Sequence, residues 1–309
     1  MITAYCSIND QLVETDTYTQ KGGWIDLVNP ASEEVKALEQ ATGVYNDFLR
    51  YPLDDEERPR IETENAQIMV IIHIPTVHPK TVMYDTVPLG IIITDDHIVT
   101  ICLEKAEVLN DFSLGKIKGM ATFKRTRFLL QILYKNASLY LKYLRQIEKK
   151  MNEIELELHK SMKNQELITL LNLQKGLVYF TTSLKSNEKV LEKLLRGKSI
   201  KMYEEDEELL EDVIVEIKQA VDMAETYSNI SSSMMDAFAS IISNNLNMVM
   251  KFLAAITIIL ALPTMVASFF GMNVALPFQQ SPFGFAVVVG ISVLFSAVAT
   301  MYLAKRDMF

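Results

Sequence analysis

The sequence predicts a mostly α-helical membrane protein in three parts: an α/β N-terminal domain, a long-helix stalk and a two-helix transmembrane end. Three observations predict it. From residue 252 to residue 304 there is no Asp, Glu, Lys, Arg or His, a run of 53 residues. That is enough to cross a hydrocarbon core of about 30 Å twice at about 20 residues per helix. The nine prolines stand at 30, 52, 59, 75, 79, 88, 263, 277 and 282, so residues 89–262 contain none and are free to be helical. Apolar β-branched runs with strand character, bounded by polar and turn residues, mark the front of the chain.

The front domain, residues 1–120, draws its strands from MITAYCSI, QIMVIIHIPTV and GIIITDDHIVTICLEK. Between them, NPASEEVKALEQATGV reads as a helix, with Asn29 as N-cap, Pro30 in the first turn, early carboxylates, and Gly43 as the stop. Cys6 and Cys102 lie in apolar segments and read as buried reduced thiols. Residues 121–197 show apolar positions at steps of three and four and predict a cytosolic helical hairpin. From Lys198 to Leu262 there is neither Gly nor Pro, which predicts a stalk helix running into the first transmembrane span as one segment, 198–270. An extracytoplasmic loop, 271–282, a second span, 283–304, and a cytosolic tail, 305–309, complete the chain.

The net charge of −9 is unevenly distributed. Residues 251–309 carry +2, from Lys251, Lys305 and Arg306 against Asp307, which leaves −11 for the remainder. An acidic body speaks against a nucleic-acid partner and is compatible with cations. The N-terminal residues lack a basic segment followed by an apolar core, so no signal peptide is expected. Basic residues flank the spans on one side only, which predicts both termini in the cytoplasm of a plasma (inner) membrane protein.

One stripe stands out on the long helix. Steps of three and four from Ser233 reach Asp236, Ser240, Ser243, Asn247, Met250, Ala254, Thr257, Ala261, Thr264 and Ser268, all small or polar except Met250. A neighbouring register, Met235, Phe238, Ile242, Val249, Leu253, Ile256 and Leu260, is apolar throughout. A 3.5-residue repeat keeps one face on the same side of a left-handed bundle, so several copies would bring the polar stripe to a shared axis. Within the membrane alone, small residues also serve ordinary helix contacts. The stripe's continuation through Asn247 to Asp236 favours a wet axis, since a dry coiled coil would place apolar side chains there. A carboxylate ring, hydroxyls, amides and a Met constriction are the parts of a cation pore.

The triplet Gly271-Met272-Asn273 closes the first span, after SNNLNMVMKFL and LPT, with a second span following. In this arrangement the chain resembles the CorA family of magnesium channels, over its whole length in architecture and most closely over 204–309. The resemblance implies a funnel-shaped homopentamer and passive Mg²⁺ influx, with Co²⁺ and Ni²⁺ as further candidate ions. It places Gly271, Met272 and Asn273 at an outer selectivity filter, and Thr264, Met250, Asn247 and Asp236 on the pore axis. It also places Asp212 at a regulatory metal position between subunits. The front-domain segment VHPKTVMYD departs from the family pattern, and Asp85 and Glu208 are its further candidate ligands. Mg²⁺ is thus expected as both substrate and regulatory ligand, with no resident cofactor. The uncharged NVALPFQQSP, where relatives often carry a Glu, and a basic tail reduced to Lys305 and Arg306 are departures that bear on rate and gating.

No phosphate loop, His-Glu-x-x-His or dinucleotide fingerprint is present, and His73, His78, His97 and His159 lack ligand spacing, so an enzyme is not expected. Two alternatives remain: a non-conducting membrane-anchored metal sensor or scaffold, and a related zinc transporter.

Overall fold

A computed structural model of the chain describes every residue except 9–10, 16, 79–82, 161–163, 198–199, 274–276, 278–281 and 307–309, and the side chains of 159, 160 and 164. The His159 side chain, part of the expected loop and the end of the tail therefore lie outside the described residues. The chain divides into two compact units, Met1–Met234 and Met235–Phe309.

The first unit is built on a seven-stranded sheet. Its strands are β1 Ile2–Ile8, β2 Gln11–Thr15, β3 Gly23–Val28, β4 Arg60–Glu64, β5 Gln67–His78, β6 Met83–Ile93 and β7 His97–Cys102, in the order β2-β1-β3-β7-β6-β5-β4. β3 and β7 run parallel, and the remaining pairs are antiparallel. The predicted run GIIITDDHIVTICLEK holds the end of β6 and all of β7. Its Thr94–Asp95–Asp96–His97 turn is closed by the Thr94 amide donating to the His97 carbonyl at 2.9 Å.

Alternation along the strands assigns the two faces. Ile25, Leu27, Met69, Ile71, Val99 and Ile101 form one core with Val35 and Leu38 of α1 (Ser32–Thr42) and Phe48 and Leu49 of α2 (Asn46–Arg50). On the other face Trp24 stacks on Tyr5 and meets Phe128 of α4 (Arg125–Lys160) edge-on, and Phe112 of α3 (Glu107–Ser113) meets the same Phe128. Tyr84 of β6 and Tyr140 of α4 converge edge-on on Phe180 of α5 (Asn164–Arg196). Each fully buried side chain of this size contributes about 1.5–3 kcal/mol. Close approach is secured by glycine. A methyl at Gly176 of α5 would lie 2.8 Å from the Tyr84 Cβ, and one at Gly90 of β6 would collide with Pro52.

Two polar nodes pin these layers. The His73 carbonyl accepts from Asn187 Nδ2 at 2.7 Å, Asn136 Nδ2 at 3.1 Å and Tyr140 OH at 3.2 Å, and the His73 amide donates to Asn187 Oδ1 at 2.9 Å. The His73 ring bridges Ser183 Oγ and the Glu57 carbonyl, both at 2.8 Å, and burial lowers its pKa. In the second node Trp24 Nε1 donates to Thr100 Oγ1 at 2.9 Å, which donates to Asp26 Oδ1 at 2.6 Å. Burial pushes the Asp26 carboxyl up to about 6 against the Thr100 hydrogen bond and the Lys105 charge. Cys6 and Cys102 are both free, buried thiols, and burial raises Cys102 to about 11.

One local expectation is corrected. Asn29 takes a left-handed backbone, φ 42°, and precedes the helix instead of capping it. The N-cap is Ala31, whose amide donates to Glu34 Oε2 at 2.8 Å, so a carboxylate inside the first turn supplies the missing acceptor. Gly43 does end α1, at φ 68°, with its amide on the Glu39 carbonyl at 2.8 Å.

The division between the units falls inside α6, Glu204–Phe270, a helix of 67 residues. The second unit holds its C-terminal part and α7, Gly284–Ala304, of 21 residues. Both helices are long and apolar enough to cross a membrane.

Candidate ion pathway and regulatory carboxylates

The continuous helix places the whole predicted stripe on one element. From Ser233 through Ser268 all eleven stripe residues are exposed in the single chain, Met250 at 61%. The hydrophobic residues buried in this unit, among those described, are Phe238, Ala255, Val266 and Leu303. The neighbouring apolar register divides: Phe238 is buried, Met235 and Ile256 are half-buried, and Ile242, Val249, Leu253 and Leu260 are open.

Four of the six hydroxyls along the stripe share one orientation. Ser233 donates to the Asn229 carbonyl at 3.0 Å, Ser240 to Asp236 at 3.1 Å, Thr257 to Leu253 at 2.8 Å and Thr264 to Leu260 at 3.0 Å. Each proton is committed to the helix itself, so the oxygen is left as an acceptor. A surface of such acceptors suits the hydrogens of a hydrated cation's water shell. Pro263 lies within α6 and has no amide for the Ile259 carbonyl.

At the helix end the Gly271 amide donates to the Ala267 carbonyl at 2.9 Å and Met272 to Phe269 at 3.4 Å. Gly271 stands in a turn where α6 ends. It does not adopt a positive φ, and what its lack of a side chain permits is proximity, since a methyl there would stand 3.3 Å from the Ala267 carbonyl oxygen. Met272 is 51% exposed, and Asn273 is exposed as well. Phe269, expected to brace the turn, is 57% exposed in the single chain.

The regulatory candidates are dispersed. Asp212 and Glu208 are exposed on α6, while Asp85 is half-buried on β6 with its Oδ1 accepting from the Thr86 amide at 2.8 Å. Among the described residues no group of three or more His, Cys, Asp or Glu side chains is gathered for a metal.

Within the acidic run 204–212 one acid is not solvated. Asp206 is 5% exposed, accepts from Arg127 Nη1 at 3.3 Å and from the Tyr203 amide at 3.3 Å, and ties the start of α6 to α4. Its position three residues after Tyr203 was the available signal.

Comparison with known proteins agrees with this geometry. The chain is 29% identical over 294 residues to the cobalt/magnesium transport protein CorA of Methanocaldococcus jannaschii, covering 92% of this chain and 90% of that protein. It is 22% identical over 288 residues to the cobalt/magnesium transport protein CorA of Thermotoga maritima, covering 92% and 82%. The complete structure of the CorA magnesium transporter from M. jannaschii superposes with a TM-score of 0.82 at 27% identity, over 98% of this chain and 96% of that one. The sheet, the 67-residue helix and the two apolar helices thus recur together in a solved transporter. Since residues 19–306 match the CorA-like Mg²⁺ transporter protein family, the chain belongs to that family.

Proposed function

We propose that this chain assembles as a homopentamer in the plasma (inner) membrane, with both termini cytoplasmic, and conducts Mg²⁺ passively into the cell, accepting Co²⁺ and Ni²⁺ as well. The observation that carries this reading is the exposed stripe on α6, polar or small at ten of eleven positions, that leads from Asp236 to the Gly271-Met272-Asn273 end. An open polar face beside exposed Leu253 and Leu260 would be unfavourable against lipid and is accommodated by facing other copies across water.

Mg²⁺ prefers oxygen ligands in octahedral geometry and dehydrates reluctantly. A ring of Asn273 amide oxygens would accept hydrogen bonds from its water shell without holding the ion as carboxylates would. Gly271 and Met272 shape that ring. Thr264, Thr257, Ser243, Ser240 and Asn247 extend the hydrophilic lining, Ala254, Ala261 and Ser268 keep it wide, Met250 narrows it, and Asp236 attracts cations to its inner end. The driving force is the membrane potential, about 4.6 kcal/mol per 100 mV for two charges at about 2.3 each. Intracellular Mg²⁺ shared between Asp212 and a neighbouring subunit's acids, with Asp85 and Glu208 as candidates, holds the pore closed. Loss of the metal leaves repelling carboxylates that loosen the ring.

The test is Mg²⁺ uptake into liposomes bearing the full chain, at an inside-negative potential and with competing Co²⁺, Ni²⁺ and Zn²⁺. Uptake that collapses in Asn273→Ala is expected. No uptake would favour a non-conducting sensor, and preferred Zn²⁺ uptake would favour a zinc transporter. In patch recordings Asp212→Lys is expected to blunt closure by high internal Mg²⁺, and unchanged closure would remove Asp212 from the sensor.

A further inference from the structure

In an acidic chain, residues 112–147 contain no Asp or Glu but eight Lys and Arg. Most of the cations on α4 are engaged: Lys135 with Asp111, Lys142 with Glu107, and Arg127 with Asp206, while Arg125 donates to the Thr94 carbonyl. The loop between α3 and α4 is different. Lys116, Lys118 and Lys124 are exposed and, among the described residues, make no ion-pair contact, although the Lys116 charge, after that of Lys135, helps hold the Asp111 carboxyl low.

These three lysines line one cavity of about 450 Å³, bounded by loop residues 115–124 and without a carboxylate on its walls. Gly115 and Gly119 take left-handed backbones, φ 63° and 69°, at the two corners that fold the loop around it. A second cavity of about 960 Å³ shares Gly119, Phe123 and Lys124 with the first. Its further wall is largely apolar and aromatic where Ile68, Ile93, Ile200 and Tyr203 line it, and Phe123, 58% exposed, stands between the two spaces. The larger cavity also carries four acids: Asp206 and Glu205 face Arg127, while Asp95 and Glu204 are in no ion pair among the described residues, so it is the smaller cavity, lined by lysines alone among charged side chains, that suits an anion. Both volumes fall in the usual range for small-molecule sites.

We propose that this pair of cavities binds a nucleoside polyphosphate, with the phosphates on Lys116, Lys118 and Lys124 and the base beside Phe123. Phosphate oxygens supply the acceptors these ammonium groups lack, and an aromatic ring offers a stacking face to a planar base. Because the phosphate cavity has no carboxylate to hold a divalent ion, it favours the metal-free anion over its less negative Mg²⁺ complex.

Calorimetry on the full-length protein in detergent, with ATP and inorganic tripolyphosphate and with EDTA present, tests this without reference to ion flux. Saturable ATP binding is expected, weakened by at least about tenfold in Lys116→Gln/Lys118→Gln/Lys124→Gln and weakened again by saturating Mg²⁺. Phe123→Ala should weaken ATP and leave tripolyphosphate unchanged. Lys36→Gln/Lys149→Gln, at exposed lysines elsewhere, should change neither. Unaltered emission from the single, buried Trp24 verifies that each variant is folded. The proposal is overturned if ATP does not saturate, if the control pair weakens binding as much as the triple variant, or if Phe123→Ala affects both probes equally.

Discussion

The two units of this chain handle apolar surface in opposite ways. Met1–Met234 buries it, with Trp24, Phe48, Phe112, Phe128, Tyr140 and Phe180 all inaccessible and buried Thr100, Asn136, Ser183 and Asn187 tied into the His73 and Asp26 nodes. Met235–Phe309 leaves it out, with Leu253, Leu260, Val293, Leu294 and Val298 each more than half exposed. A sheet covered on both faces is complete within one chain. Two apolar helices are not, and their remaining surface calls for an apolar surrounding such as lipid. The difference teaches where substitutions should be felt: through stability in the first unit, and through transport and labelling in the second.

Several measurements would break or sharpen that contrast. The largest expected effect is on accessibility in membranes. Thr257→Cys should react with a charged thiol reagent at least about tenfold faster than Ile258→Cys, since only ionised thiol in water reacts. Both native cysteines are buried, so background labelling should be low. Equal rates would put the stripe in lipid or in dry contact. In the first unit, Phe180→Ala should lower unfolding stability by about 3–5 kcal/mol in denaturant titrations, whereas Leu294→Ala should leave the same transition almost unmoved.

Removing Arg127 strands the buried Asp206, and Arg127→Ala should cost about 2–3 kcal/mol in the same titration. The Asp26 prediction has a definite sign. Its folded carboxyl is raised to about 6 from an ordinary 3.8, so the folded state binds the proton more tightly than the unfolded chain. Stability is therefore lost as pH rises from about 4 to 6. Asp26→Asn should remove that slope and leave the protein more stable at pH 7 by roughly 1–3 kcal/mol. The smallest effect is the α1 cap, where Glu34→Ala should cost about 0.5–1 kcal/mol.

Periodicity made much of this legible. The stripe from Ser233 to Ser268 needed only heptad counting, because one uninterrupted helix keeps register over its whole length. Strands β1, β5 and β7 and the end of β6 announced themselves as apolar β-branched runs. β3 and β4 did not, since GWIDLV is short and carries Asp26 in its middle, and RIETE is an edge strand whose polar residues dominate its composition. Asp206 was hidden among neighbouring acids because its partner, Arg127, is 79 residues away. The candidate metal acids Asp212, Glu208 and Asp85 have no such signature, since among the described residues no three metal-binding side chains are gathered.

The seam between α5 and β6 at Gly176 has a mechanical consequence. There the helix backbone rests on the first carbon of the Tyr84 side chain and on its carbonyl, the latter 3.1 Å from where a methyl would be. No rotatable bond lies within that contact, so it has no slack to take up gradually. Any side chain placed there would have to push the helix off the strand, so the joint fixes the spacing of these two elements at backbone distance.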